Sequence, residues 1–113
     1  MIQSYIKQKI LEQAVPLDKF GLNDLTWEKE AAKILIDSLM QDDIGILGGD
    51  VYKIDSNNLI PMYDNWYCNP NAKETSKEFN FRSKKKALEY IEKYPIYSGE
   101  KILFSIVFTE IID

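Results

Sequence analysis

Among residues with types suited to catalysis, Asp50, Asp64 and Cys68 fall in or beside the least ordinary stretch of this chain. Two acids can drive hydrolysis when both face one substrate atom, and a thiol becomes a nucleophile when a neighbouring base lowers its pKa. The chain contains no histidine, which removes the commonest activating base for Cys68 and the commonest zinc ligand together. Gly48-Gly49 is too short for a phosphate loop and matches neither the Walker pattern nor the dinucleotide fingerprint. Asp42-Asp43 lacks the glycine and the ligand spacing of a calcium loop. The sequence therefore predicts no catalytic, metal or cofactor site. What stands out instead is the setting of the two acids, Gly48-Gly49-Asp50-Val51-Tyr52 and Pro61-Met62-Tyr63-Asp64-Asn65-Trp66-Tyr67, where aromatic and amide side chains concentrate.

A β-hairpin would position these stretches. Two apolar-rich runs, 44–54 and 59–67, flank Asp55-Ser56-Asn57-Asn58, a composition suited to chain reversal. With Ser56-Asn57 as the loop, Asp55 pairs with Asn58, and the register continues through Tyr52 opposite Pro61, Val51 opposite Met62 and Asp50 opposite Tyr63. Alternation then separates a core face (Leu47, Val51, Ile60, Met62, Asp64, Trp66) from a face carrying Asp50, Tyr52, Tyr63, Asn65 and Tyr67. The second face has the composition of a recognition surface, although tyrosines also favour half-exposed strands for packing reasons alone. Gly48-Gly49 fits a bulge or tight bend. Asp50 and Asp64 fall on opposite faces, which separates them as a catalytic pair. Asp64, on the core face, requires a hydrogen-bond partner from Asn65, the Trp66 indole or a tyrosine hydroxyl.

The remaining elements follow from periodicity. Ile6, Ile10 and Leu11 predict a short amphipathic helix over 3–13, stopped by Pro16. The connector Asp18–Leu25 tucks Phe20 and Leu22 inward around a turn at Gly21. Thr26 stands as an N-cap for a helix over 27–41, with Trp27 as a core anchor in its stripe. The polar stretch 69–78 reads as a long surface loop. Ser83 caps a third helix over 84–94, with Ala87, Tyr90, Ile91 and Tyr94 inward; Arg82, Lys84, Lys85 and Lys86 then crowd the helix end that prefers anions, with Lys85 paired to Glu89. The last strand, 101–111, is apolar on both faces and so belongs centrally in the sheet. The predicted fold class is α+β: a small antiparallel sheet containing the hairpin at 44–67 and the C-terminal strand, packed with about three helices.

A chain of 113 residues with 45% apolar composition is expected to form one domain, 1–113. The single cysteine permits no internal disulfide. No membrane-spanning run or signal-peptide pattern is present, so a cytoplasmic location is expected. A formal charge of -4 disfavours direct nucleic-acid binding and suits a cationic partner.

The order Gly48-Gly49-Asp50-Val51-Tyr52, Pro61–Tyr67, then Ser83 with Ala87, Tyr90 and Ile91, then an apolar last strand, resembles the immunity protein 40 family of bacterial polymorphic toxin systems, over residues 44–111. The resemblance implies a non-enzymatic cytoplasmic protein that binds a cognate toxin and blocks it. On that resemblance Asp50, Tyr63, Asp64, Trp66 and Tyr67 are the first positions of interest, joined from the strand-face reading by Tyr52 and Asn65. Tyrosine-rich surfaces suit protein recognition because the ring gives large contact area at small entropic loss. The alternative is a small-ligand or nucleotide-binding domain using the Gly48-Gly49 bend and the aromatic face.

Overall fold

The computed structural model describes residues 6–109. In chain order its elements are α1 (Gln8–Leu11), β1 (Val15–Pro16), β2 (Leu25–Trp27), α2 (Lys29–Ser38), β3 (Ile46–Asp55), β4 (Asn58–Tyr67), α3 (Ser76–Lys93), β5 (Lys101–Ser105) and β6 (Val107–Phe108). The six strands form one antiparallel sheet, β1-β2-β5-β3-β4, with β6 also pairing to β3. The expected α+β class holds.

Strand β5 lies between β2 and β3, and the residues of Ile102-Leu103-Phe104 are all buried although they alternate between faces. Its two-sided apolar pattern thus marks a central strand, as expected. The strand does not run to Ile111, however. It breaks at Ile106, and β6 pairs with β3 through Ile46↔Phe108 and Gly48↔Val107; Ile111 itself lies outside the described residues. One face of the sheet meets the helices, where Trp27, Val51, Trp66 and Phe104 pack in a core with Leu35, Ile36, Ala87 and Ile91.

Two lysines lock the helices to each other. The Lys84 ammonium, on α3, donates to the carbonyls of Leu39, Met40 and Asp42 just past the end of α2, at 2.8, 3.4 and 2.9 Å. Lys29, on the first turn of α2, donates to the carbonyls of Glu92 and Tyr94 at the end of α3, at 3.0 and 2.7 Å. Each helix thereby supplies the cation that its neighbour's negative C-terminal end prefers.

Several boundaries differ from the periodicity reading. Helix α3 starts at Ser76 and not near Lys84, because Thr75 and Glu78 form a capping box: the Glu78 amide donates to Thr75 Oγ1 at 3.1 Å and the Thr75 amide to Glu78 Oε1 at 2.9 Å. The expected loop 69–78 shrinks accordingly, and the basic residues stand inside the helix and not at its anion-preferring end. Ser83 is no cap; its buried hydroxyl accepts from the Ile46 amide and donates to the Asn80 carbonyl. Glu89 pairs with Lys93 and not with Lys85. Thr26 and Trp27 belong to β2, where the Thr26 hydroxyl donates to the Val15 carbonyl, so α2 begins only at Lys29. Trp27 is nonetheless the core anchor expected, 2% exposed. The first helix shortens to Gln8–Leu11, with residues 1–5 outside the described range. Gly21 makes its turn at φ +81°, but Leu22 stays exposed.

Candidate functional site

The hairpin turns where expected. Ser56 and Asn57 have φ of 51° and 69°, the left-handed pair that a tight two-residue turn with the right twist requires. Register follows the prediction from Asp55↔Asn58 to Tyr52↔Pro61 and then slips: Asp50 faces Asn65 and not Tyr63, and Val51 does not pair with Met62. Two extra residues have entered β4, and Tyr63 takes them up at φ +60°. The irregularity expected at Gly48-Gly49 is also present, as a separate one: against β6 the strand β3 carries one extra residue between Ile46 and Gly48. The glycines also make room for a neighbour, since a Cβ on Gly49 would overlap the Trp66 ring and the Ser105 carbonyl, and one on Gly48 the Trp66 carbonyl.

Beyond the bulge, β4 is laced to α3 by a series of side-chain contacts. The Tyr94 hydroxyl donates to Asp64 Oδ2 at 2.6 Å. The Trp66 ring stacks on Tyr90, with centroids 4.8 Å apart. The Lys86 ammonium stands 5.7 Å from the centroid of the Tyr67 ring. Arg82 donates to Cys68 Sγ at 3.2 Å and to the Asn69 carbonyl at 2.7 Å. The helix partners are 82, 86, 90 and 94, four apart, so they form one stripe of α3, and they meet the strand in reverse order.

This seam divides the predicted residues. Trp66 is buried and Asp64 bonds a tyrosine hydroxyl, so both do structural work in the seam. Asp64 is nonetheless exposed and not interior, because it sits near the C-terminal end of α3 where the stripe runs out. Tyr63 and Tyr67 are 88% and 69% exposed, and Asp50 and Asn65, paired across the hairpin, are also exposed. Tyr52 is half-buried between strands and belongs less to this surface. On the expected core face Val51 and Trp66 are buried and Met62 packs against the core, but Leu47 and Ile60 are each 38% exposed. Leu47 edges a cleft that it shares with Phe79 and Asn80 of α3, and Ile60 lies on the outer strand β4 near the turn.

Sequence reasoning missed the seam, above all the role of Arg82. Its guanidinium also grips Glu74, with Nε to Oε2 at 2.6 Å and Nη2 to Oε1 at 2.8 Å. The hydrogen bond from Arg82, followed by that from the Asn71 amide, holds the Glu74 carboxyl at about 2, below its ordinary 4.5. Glu78, Glu92 and Glu100 shift the same way, held by Thr75, Lys33 and the Tyr97 amide respectively. A carboxylate with a depressed folded-state pKa contributes stability above its unfolded value, and that contribution is lost as pH falls through the folded one. Acid unfolding should therefore begin below pH 4.5 and extend toward 2. Replacing Glu74 by Gln should flatten the lowest part of that profile in circular-dichroism melts across pH.

A cleft lies elsewhere. A volume of about 700 Å³ between the α2–β3 turn and the start of α3 is lined by Met40, Asp42, Asp43, Asn80, Phe81 and Lys84 among others. Several of its polar groups are already engaged: Lys84 with carbonyls, Asn80 with Asp43 at 2.9 Å, and Thr75 in the capping box. Among the described residues no cluster of three or more His, Cys, Asp or Glu side chains could hold a metal ion. Nor is any helix there long and apolar enough to cross a membrane.

A family model described as Immunity protein 40 matches residues 16–108. The match begins well before the hairpin, so β2 and α2 belong to the family pattern as much as the region from residue 44 onward. Searches of curated proteins and of solved structures return no match. With the match running from the first strand to the last, the chain belongs to the Immunity protein 40 family.

Proposed function

We propose that this protein is a cytoplasmic immunity protein that binds a cognate toxin and neutralises it by stoichiometric occlusion, without catalysis. Membership in the Immunity protein 40 family is the observation that carries the reading. The exposed part of the hairpin supports it: Tyr63, Asn65, Tyr67 and Asp50 offer aromatic area and hydrogen-bonding groups, with Asp64 and Lys86 beside them. Exposed tyrosine is enriched where proteins meet. An acidic chain, pI about 4.9, would also be steered quickly onto a basic toxin. The Gly48-Gly49 bend gives little support to a small-ligand site, because Trp66 already occupies the space above Gly49.

Co-expression with the toxin encoded beside its gene is the test. The expected result is rescue of growth together with co-purification of a one-to-one complex. Absence of both rescue and complex would sink the reading.

A further inference from the structure

Tyr63 carries a cost that the fold does not return. It adopts φ +60°, a conformation uncommon for a bulky side chain, in a bulge that breaks the pairing of β3 with β4. Glycine normally fills such a position. Buried packing would account for a tyrosine there, yet the side chain is 88% exposed. The same bulge, together with Pro61, which brings no N–H to the strand, interrupts the free edge of β4 and opposes growth of the sheet by another chain. The edge is thus protected from backbone pairing at the place where an aromatic ring is held out to solvent.

We propose that Tyr63 anchors the toxin interface, its ring entering a pocket on the toxin that also presents a cationic group. The cation follows from the neighbouring charge. Asp64, next in the chain, uses only Oδ2 on Tyr94, so its Oδ1 has no partner among the described residues. An arginine or lysine of the toxin satisfies both demands, lying on the ring face and pairing with the free carboxylate oxygen. Recognition is then led by side chains and not by added strands. This inference rests on the toxin-binding reading above.

Tyr63→Gly tests it, because stability and binding should part company. Glycine accepts the left-handed backbone, so the thermal midpoint should match or exceed that of the wild type, while affinity for the co-purified toxin should fall roughly thirtyfold, as for an interface hot spot. Tyr63→Asn, which also tolerates this backbone, should behave alike. Tyr97→Ala, removing another exposed ring that lies outside the hairpin, should leave affinity unchanged. A folded Tyr63→Gly that binds as tightly as the wild type would overturn the anchor and leave the toxin-binding reading intact. A wild-type protein that fails to bind the toxin would overturn both.

Discussion

Replacing Lys84 by alanine is expected to destabilise the fold by about 4 kcal/mol, near the upper range for a single substitution. The side chain is 1% exposed, and its ammonium serves the carbonyls of Leu39, Met40 and Asp42. Truncation removes that cap and also empties the space filled by the four-carbon stem. Lys84→Met separates the two losses. Methionine keeps the stem volume, and the Leu39 and Asp42 carbonyls each retain a backbone donor, from Asp42 and Ile44. The expected cost for Met is then about half, roughly 2 kcal/mol, measured by urea denaturation. Equal costs for the two variants would assign the whole effect to the cap.

The charge adds a pH signature. Burial lowers the Lys84 pKa from 10.5, only partly offset by Asp42 and Asp43. The unfolded chain thus keeps this proton to higher pH than the folded one, so the residue's contribution to stability rises with pH up to 10.5. The cost of Lys84→Met should grow across that window. Tyr94, Tyr90 and Tyr52 act oppositely: burial raises their pKa values from 10.0, so stability that they contribute is lost at more alkaline pH. Comparing variant with wild type at each pH cancels the tyrosines and leaves the lysine.

The sequence was most readable where a local rule and a tertiary demand coincide. Ser56-Asn57 turned the hairpin because the two residues tolerate left-handed backbone, and Lys101–Ser105 proved central because both of its faces are apolar. Readings failed where a weaker local cue was preferred to a stronger one. Thr75-Ser76-Lys77-Glu78 spells a capping box, a stronger cue than the polar composition that it shares with loops, and the helix it starts carries Arg82 and Lys84–Lys86 in its interior. Thr26 fits an N-cap in composition; pairing with Val15 and Ser105 drew it into the sheet instead. The bulge at Tyr63 had no local signal, since nothing in the residue type announces positive φ. The seam was hidden for a different reason: the spacing 82, 86, 90, 94 is visible in the chain, but its partners come from a strand whose register the bulge had shifted.

The seam makes Trp66→Ala the second large effect. The indole is 6% exposed, lies against Gly49 across the hairpin and stacks on Tyr90 of the helix. Its removal leaves a void between β3 and α3, bounded by a backbone that a Cβ-free glycine has already brought close. Buried tryptophan truncations cost about 3–5 kcal/mol, which for a domain of this size lowers the thermal midpoint by roughly 15 °C. Trp66→Phe should cost far less than half of that. Phenylalanine keeps a ring for Tyr90, and it removes the Nε1–H group, which is buried without a hydrogen-bond partner among the described residues. Toxin affinity should follow the same order, preserved in Phe and lost in Ala, because Asp64 and Tyr67 flank Trp66 and take their positions from the seam that it fills. If Phe proved as costly as Ala, the full indole shape rather than a single aromatic ring against Tyr90 would be what the seam requires.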